Sequence, residues 1–438
     1  MQGNYLKDVR EQYEEYPYPY RNPQDEKKRL INTALDGLPY LNHVIYGGKQ
    51  SFTNGYKVLV AGGGTGDSTI YLAEQLRDMP DAVVVYVDLS TKSMAIAKER
   101  AKARGLKNIQ WHHMSLLDIA GLGEKFDYIN CSGVLHHLAD PVAGLKALKS
   151  ALKADGALGI MVYAQYGRTS IYQMQELMKR INKDEENPAQ KVAITKKVMP
   201  LLPASNLFRQ QQQIWNVEFE RNGDIGIYDL LLHSTDRAYT VPELYDWMQT
   251  AGLTIPRFSG GLGYRLCYMP EFVFGQDAEL MQRVKKLPEE EQQAIAELAH
   301  ANISRHIFFA APHKEGMADV KDDNMVPFFF MQYLNGPSLS KQVRASNGPL
   351  AVQPGGGVRI TLPQGKYVAD ILENMDEEQT IGEIIQSVVL KNKDASVSDV
   401  RTEFEKLYEQ LEMIDALLLR HKDVPAFAPA MALQKRIA

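Results

Sequence analysis

Short apolar runs alternate with segments of helical periodicity from residue 55 onward. The runs KVLVAG, AVVVYVDL, IQWHHM, FDYINCS and ALGIMVYA are rich in β-branched or aromatic residues, which predicts strands. Between them, segments such as TIYLAEQLR and SMAIAKERAKARG place apolar residues at helical spacing. Strands that are separated by helices form mainly parallel sheets covered on both faces. The pattern therefore predicts a doubly wound α/β domain over residues 55–313.

Two segments depart from this alternation. Residues 167–250 are rich in Gln, Lys and Glu and predict a helical insertion, after which apolar runs at 253–258 and 304–312 predict strands that rejoin the sheet. Residues 1–54 form a polar, tyrosine-rich arm. Because Pro17 and Pro19 forbid a continuous helix, we expect a helix before Tyr16 and an extended segment after it. The arm either covers an apolar face of the next domain or acts as a lid over a ligand pocket.

A polar break at 313–324 precedes a smaller unit over residues 325–425. Its pattern predicts an α+β unit with a hairpin and three helices, the last running through VSDVRTEFEKLYEQLEMIDALLLR. This unit is similar to small winged-helix modules that hold leader peptides in ribosomal peptide biosynthesis. The resemblance implies capture of an extended peptide by strand addition. The alternative is an appendage for homodimer formation or stabilisation.

Composition narrows the classes of partner. The chain of 438 residues carries 49 Lys+Arg against 54 Asp+Glu, so a net charge of -5 gives no general attraction to nucleic acid or an anionic membrane. Its two cysteines are far apart, which argues against a disulfide framework and a cysteine-based metal site. No apolar run is long enough to span a bilayer, and the first residues lack the pattern of a secretory signal. We expect a cytoplasmic protein that binds neither nucleic acid nor membrane.

A glycine-rich loop joins the first predicted strand to a helix. Gly62, Gly64 and Gly66 permit a sharp turn and close approach of a ligand, and the following helix presents free N–H groups. Asp88 ends the next strand, where an acid reaches the hydroxyls of a bound ribose. Together these features predict a cofactor that contains adenosine.

The glycine spacing bears on which cofactor this is. A dinucleotide fingerprint counted from Gly62 requires its third glycine at position 67, where the chain has Asp67. The spacing G-x-G-x-G instead suits a cofactor without phosphates. A register that starts at Ala61 gives A-x-G-x-x-G, so a dinucleotide stays an alternative.

The ordered motifs VLVAGGGTGDST, VVYVDLS, NIQWHHMSLLDIAGL, FDYINCSGVLHHLADP and LKADGALGIMVYA resemble those of class I S-adenosylmethionine-dependent methyltransferases with a Rossmann-like sheet. The opening QYEEYPYPY and the GVLHHL motif resemble a bacterial subgroup with an N-terminal aromatic arm. The resemblance implies that S-adenosylmethionine is the cofactor. It also implies that the three loop glycines line its methionine portion, that Asp88 binds the ribose, that Leu89 flanks the adenine, and that Ser132 belongs to the same site.

Two positions depart from the family pattern. Val60 stands where most members have an acid, and Ser115 stands where an Asp commonly contacts the adenine amine. Asp118 follows three residues later and could take over that contact. Alternatively, Ser115 and Asp118 only cap or end a turn.

Candidate catalytic and acceptor-binding residues lie beyond the fourth strand. His136 or His137 could act as a general base, and because adjacent helical residues diverge by about 100°, at most one is expected to face the pocket. The alternative is a packing or capping role. No metal site is expected. Candidate acceptor-binding residues come from the arm, the fifth strand's end and the insertion, where the alternative is a solvated loop: Tyr18, Arg168, His233, Arg237 and Tyr239.

These features predict methyl transfer to an O, N or C nucleophile of a protein, a peptide or a small molecule. Two other functions stay open at this level. One is a scaffold that binds S-adenosylmethionine without turnover, and the other is an NAD-dependent oxidoreductase.

Overall fold

The computed structural model describes residue 14 and residues 16–436, except 234, 262, 315, 332, 347, 356 and 357. The helix expected before Tyr16 therefore lies almost wholly outside the described residues. Within them, no helix combines the length and the apolar character that a membrane span requires.

Eight strands form one mixed sheet, in the order β3-β2-β1-β4-β5-β8-β7 with the short β6 paired to β5. Strands β1 to β5 run parallel, and β8 is antiparallel to both β5 and β7. The strands are β1 (Lys57–Ala61), β2 (Val83–Asp88), β3 (Ile109–His113), β4 (Phe126–Ser132), β5 (Leu152–Ala164), β6 (Ala238–Tyr239), β7 (Thr254–Phe258) and β8 (Arg305–Ala311). The predicted α/β class is confirmed, including both returning strands.

The helices accompany the sheet, the insertion and the C-terminal unit in turn. In chain order they are α1 (Leu38–Ile45), α2 (Asp67–Gln75), α3 (Thr91–Ala103), α4 (Pro141–Ala151), α5 (Thr169–Ile181), α6 (Pro188–Val198), α7 (Leu207–Gln210), α8 (Gln212–Leu231), α9 (Val241–Thr250), α10 (Glu271–Phe274), α11 (Ala278–Val284), α12 (Glu289–His300), α13 (Gly336–Ala345), α14 (Val368–Glu373), α15 (Ile381–Lys391), α16 (Val397–Glu412) and α17 (Ala430–Gln434).

The helical insertion has its own small core, built from α5, α7 and α8 around residues such as Met174, Phe208 and Trp215. Helix α9 lies outside it, because Leu244 and Trp247 pack into the main core of the sheet. The expected insertion boundary at residue 250 is therefore one helix too late. Apolar spacing alone does not show which core an amphipathic helix joins.

The two alternatives for the N-terminal arm describe different parts of it. Residues 35–56, including α1, contribute a series of buried side chains that pack on one face of the sheet: Leu35, Leu38, Tyr40, Leu41, Val44, Phe52 and Tyr56. Residues 18–22 instead pass over the carboxyl ends of the strands, where they line the main cavity. The first part covers an apolar face, and the second part lies where a lid would lie.

The C-terminal unit differs from the predicted hairpin and three helices. The hairpin is present as β10 (Ala351–Gly355) and β11 (Val358–Thr361), but β9 (Met325–Phe329) also pairs antiparallel with β12 (Leu417–His421). The last helix ends at Glu412 and not at residue 420, since Asp415 takes a positive φ of 57° and the leucines after it join β9. Helix α13 was not expected. The winged-helix resemblance stays a prediction.

Buried charges fasten this unit to the sheet. Arg257 of β7 pairs with Glu412 and with Asp415, the latter at 2.5 Å, and its Nε donates to the Tyr40 hydroxyl at 3.0 Å. Burial alone would raise the pKa of Glu412, but Arg257, His43 and Arg265 together outweigh it and hold the pKa below its usual range. Because a buried charge is costly unless it is paired, this network fixes one packing arrangement of the two units.

Candidate active site

The glycine loop has the conformation that only glycine adopts easily. Gly62, Gly64 and Gly66 have φ values of 79°, 51° and 103°. A Cβ on Gly62 would stand 2.3 Å from a Val134 methyl carbon, and one on Gly66 would stand 2.9 Å from Ala97 Cβ. The loop thus leads from β1 into α2 with its backbone exposed to the cavity above the sheet.

Asp88 stands at the carboxyl end of β2 beside this loop. Its carboxylate accepts the Gly64 N–H and the Ser90 N–H, both at 2.7 Å. Burial raises the pKa of Asp88, and these two N–H groups oppose that effect. Each carboxylate oxygen has a second lone pair, so the group can still accept hydrogen bonds from a ribose. Leu89 lines the cavity next to it.

The remaining predicted cofactor residues divide between the cavity and the surface. Ser115 and Ser132 line the cavity, as does Val60 at the position where the family has an acid. Ser115 also accepts the Leu117 N–H at 3.1 Å, so it caps a turn while facing the cavity. Asp118 is exposed and is not among the lining residues. The expectation that Asp118 replaces the adenine contact is therefore wrong, because the turn directs it to solvent.

One cavity of about 1170 Å³ joins the glycine loop to the arm and the insertion. The arm crosses it at residues 18–22, where the Tyr18 carbonyl oxygen lies 3.1 Å from the place of a Cβ on Gly64. Thr65 Oγ1 donates to the Pro19 carbonyl at 2.8 Å, and the Tyr18 hydroxyl donates to Glu218 of α8 at 2.9 Å. The arm therefore bridges the cofactor loop and the insertion above the cavity.

Paired charges support the loop from below. Arg100 of α3 bonds to Glu26 at 2.8 Å, to Asp67 at 2.7 Å and to the Thr65 carbonyl at 2.8 Å. Arg21 of the arm forms two further bonds to Asp67, at 2.8 and 2.5 Å. Burial alone would raise the pKa of Asp67, but the two guanidinium groups outweigh it and lower the pKa. Each acid in this cluster thus has a cationic partner.

The fourth and fifth strands lead to a second wall of the cavity. His137 lines it and donates from Nδ1 to the Thr235 carbonyl at 2.9 Å, while His136 lies behind it in the core. Burial lowers the pKa of both histidines, so both are neutral at pH 7. The predicted base His136 is wrong, because its ring packs against Tyr163 at 4.1 Å and lies outside the cavity lining.

The insertion closes the cavity with residues that the sequence did not single out. Asp229 and Trp215 of α8 are buried on this wall, and Glu218 lies there partly exposed. Burial raises the pKa of Asp229 to about 7, against the opposing effect of Arg168. A signal was present in the sequence, since Asp229 is a lone acid within the buried stripe of Ile227, Leu230 and Leu231.

The candidate acceptor residues are only partly brought together. Tyr18 and Arg168 line the cavity, and Arg168 lies 3.5 Å above the Tyr163 ring and pairs with Asp236 at 3.5 Å. His233 is stacked behind His137 with ring centroids 3.9 Å apart, outside the lining.

Two further candidate acceptor residues lie outside the cavity lining. Arg237 has a side chain 57% exposed, and its nearest acid is Glu243 at 3.8 Å. Tyr239 is buried and stacked on Trp247 at 4.7 Å. Strand β6 and helix α9 carry these residues away from the cavity and toward the main core.

Comparison with known proteins supports the predicted family. Residues 59–158 match the family model described as a methyltransferase domain. This part of the chain is similar to methyltransferase domains. The prediction of S-adenosylmethionine as the cofactor is confirmed by this match.

Relatives and solved structures resemble the chain to different extents. An uncharacterized protein of Synechococcus sp. is 36% identical over 58% of this chain and 59% of its own length. The tRNA 5-carboxymethoxyuridine methyltransferase of Escherichia coli is 36% identical over 25% of this chain and 41% of its own. The chain thus spans about three fifths or less of these relatives. The structure of PKMT2 from Rickettsia typhi aligns with a TM-score of 0.62 at 14% identity, over 94% of this chain and 76% of that one. This last likeness extends the fold match beyond the methyltransferase domain.

The residues present fit this cofactor. The backbone of Gly62, Gly64 and Gly66 lines the cavity, and Asp88 retains lone pairs at the place of the ribose. Within the part of the chain that the structure describes, no group of three or more His, Cys, Asp or Glu side chains is arranged to hold a metal ion. The expectation that no metal takes part stays a prediction.

Proposed function

We propose that the chain is an S-adenosylmethionine-dependent methyltransferase whose acceptor enters the cavity between the arm and the insertion. One observation carries this proposal. The glycine loop, Asp88 and the wall of His137, Tyr163 and Asp229 line the same cavity of about 1170 Å³. That volume suits a cofactor together with an acceptor group, since ligand sites typically occupy ~300–1,000 Å³.

The cofactor side of the cavity holds and orients S-adenosylmethionine. Gly62, Gly64 and Gly66 hold the methionine portion along the loop, and Asp88 holds the ribose at the end of β2. Bound S-adenosylmethionine supplies a sulfonium methyl group, which an acceptor nucleophile displaces in line. Positioning of the two groups accounts for much of the rate enhancement in such a displacement. We propose that the arm, which Thr65 holds over the loop through its hydrogen bond to Pro19, limits the access of water to the reacting atoms.

The acceptor side selects what can react. Tyr18, Tyr163 and Trp215 provide aromatic walls, and Ile214 and Val217 form an exposed apolar rim. A small molecule or a slender side chain of a peptide fits this entrance better than a bulky folded surface, because the arm and α8 narrow it from both sides. The acceptor is therefore proposed as a small molecule or a protruding peptide side chain.

Calorimetric titration of the full chain tests this proposal. S-adenosylmethionine and S-adenosylhomocysteine are expected to bind, and Asp88→Ala is expected to weaken both about tenfold or more. NADH is expected to give no heat, because Asp67 stands where the dinucleotide fingerprint counted from Gly62 requires its third glycine. Tight binding of NADH alone would overturn the proposal.

Turnover separates an enzyme from a binding scaffold. The chain is expected to release S-adenosylhomocysteine when it is supplied with a fractionated bacterial extract, and Asp88→Ala is expected to abolish most of that release. Cofactor binding without release from any fraction would favour the scaffold.

A further inference from the structure

Asp229 is a buried acid whose carboxyl group the fold satisfies only in part. It is 4% exposed and lines the cavity; the Tyr163 hydroxyl donates a hydrogen bond to the carboxyl group, but Oδ1 has no hydrogen-bond partner among the described residues. Leaving a buried charge-bearing oxygen unpaired is costly, so such a group usually has a ligand or a catalytic role. Its position on α8 puts it on the acceptor side, away from the glycine loop that holds the cofactor.

The surroundings of Asp229 favour a cation. Glu218 lies on α8 before the kink at Gly223, and its carboxyl group accepts hydrogen bonds from Tyr18 at 2.9 Å and from Asn222 at 2.6 Å. The buried cation on this wall, Arg168, already pairs with Asp236 and lies on the Tyr163 ring. Asp229 and Glu218 therefore share this wall with Arg168, whose guanidinium is already paired. Arg21, Arg221 and Arg305 line other parts of the same cavity, and Arg21 is close enough to Glu218 to interact with its charge.

Aromatic rings complete this environment. Tyr18, Tyr163 and Trp215 line the same part of the cavity, and the π faces of such rings attract an ammonium group. An anionic acceptor would meet the carboxyl groups of Asp229 and Glu218 here, and a neutral hydroxyl would bring no positive charge to either of them. An alkylammonium group satisfies the acids and the rings together.

We propose that the acceptor is an amine and that Asp229 binds its ammonium group and takes up one of its protons before methyl transfer. The inference rests on the proposed function and names the substrate class of that same site. The neutral amine nitrogen then forms a bond to the methyl carbon as the carbon–sulfur bond breaks. The electron pair of that bond stays on sulfur, the product is an N-methylammonium group, and Asp229 releases its proton to solvent.

The titratable and charged groups that face Asp229 come from several elements. They are Tyr18 on the arm, Tyr163 on β5, Arg168 and Asp236 on loops, and Glu218 on α8 itself. The acids raise the pKa of Asp229 and Arg168 lowers it, while burial has the largest effect, for a pKa of about 7. Such a group can accept and release a proton near neutral pH.

The test uses an isosteric set of probes on the full chain saturated with S-adenosylhomocysteine. n-Butylammonium, n-butanol and butyrate are titrated while ligand-observed NMR measures binding. We expect n-butylammonium to bind at least about tenfold more tightly than the other two. Preferred binding of butanol or butyrate, or no saturable binding of n-butylammonium at millimolar concentration, would overturn the proposal.

Variants assign the effect to Asp229. Asp229→Asn is expected to lose about tenfold or more in n-butylammonium affinity while binding S-adenosylhomocysteine as the unchanged chain does. The matched control is Asp224→Asn, on the same helix but outside the cavity lining, with a side chain 55% exposed. Its affinity for both ligands is expected to stay unchanged. Equal losses of n-butylammonium affinity in the two variants would contradict the proposal. Failure of the unchanged chain to bind S-adenosylhomocysteine would instead contradict the proposed function.

A pH profile separates proton uptake from a structural role. In the unchanged chain, n-butylammonium affinity is expected to rise severalfold between about pH 6 and about pH 8 as Asp229 ionises. Asp229→Asn is expected to remove this rise. If Asp229→Asn does not fold, Glu218→Gln replaces it in the test, because it removes the second acid on this wall. Glu218→Gln is expected to weaken n-butylammonium binding. The rise in affinity with pH is expected to remain, since Asp229 is still present. A flat profile in the unchanged chain would overturn the proposal.

Discussion

The two sides of the cavity handle buried charge in opposite ways. On the cofactor side, Glu26 and Asp67 meet the guanidinium groups of Arg100 and Arg21 at hydrogen-bonding distance. On the acceptor side, Asp229 keeps an oxygen without a hydrogen-bond partner among the described residues. Paired buried charges fix a structure, whereas an unpaired one is a cost to folding that a ligand can relieve. The difference fits an architectural role for the charges of the first side and the proposed substrate binding on the second.

Removing a cation from the cofactor side is expected to have the largest effect on the unfolding free energy. Arg100→Met leaves Glu26 and Asp67 each with one cationic partner fewer, in a site where Arg100 is 1% exposed. Breaking a buried pair on one side costs about 3–5 kcal/mol of unfolding free energy, which thermal and chemical denaturation measure.

Lys102→Ala is the control for this change. Lys102 lies on the same helix, but its side chain is 79% exposed and meets Glu99 only at 3.9 Å. Its loss is expected to cost less than about 0.5 kcal/mol. Equal losses for the two variants would remove the contrast between the sides.

Replacing Asp229 on the acceptor side by a neutral residue is expected to stabilise the protein at high pH. The folded state raises the pKa of Asp229 to about 7, so the stability that its protonated form contributes is lost as the pH rises through that value. Asp229→Asn avoids this loss. The difference in unfolding free energy between the variant and the unchanged chain should therefore grow by about 3 kcal/mol from about pH 5 to about pH 8.

Asp224→Asn again serves as the control, because its exposed carboxyl pairs only with Lys196 at the surface. Its unfolding free energy should follow that of the unchanged chain across the same pH range. If the difference in unfolding free energy between Asp229→Asn and the unchanged chain does not vary with pH, ionisation of Asp229 does not destabilise the folded protein.

Loosening the arm is expected to have the smallest effect. Arg21 ties the arm to Asp67 beside the glycine loop, with side chains 23% and 19% exposed. Arg21→Met should cost about 1 kcal/mol and speed the dissociation of S-adenosylhomocysteine about fivefold, as stopped-flow fluorescence would measure. Lys28→Met, at an exposed pair with Asp25, should leave that rate unchanged. Equal rates in all three proteins would show that the arm does not limit release.

The cofactor side could be predicted because its parts are close in sequence. Gly62, Gly64 and Gly66 follow a strand directly, and Asp88 ends the next one, so the parallel order of β1 and β2 brings them to one edge. Asp118 was the exception, since the direction of a side chain in a turn depends on the local 3₁₀ geometry that apolar spacing does not reveal.

The acceptor side could not be predicted in the same way. Tyr18 and Asp229 are separated in sequence by strands β1 to β5, yet they line one cavity. Arg237 and Tyr239 belong to a polar run near Asp229, but β6 pairs with β5 and turns them away. Which of these polar residues faces the cavity depends on how α8 lies on the sheet.

The amino-acid sequence by itself determined the α/β class, the glycine loop and the acid that follows it, because period and spacing act within one or two elements. The tertiary structure alone decided three things: the path of the arm over the loop, the pairing of β9 with β12 in the C-terminal unit, and the burial of Asp229. Each depends on contacts between residues far apart in the chain. A local sequence pattern shows that a side chain is polar, but only tertiary packing determines whether that side chain stays hydrated or becomes buried.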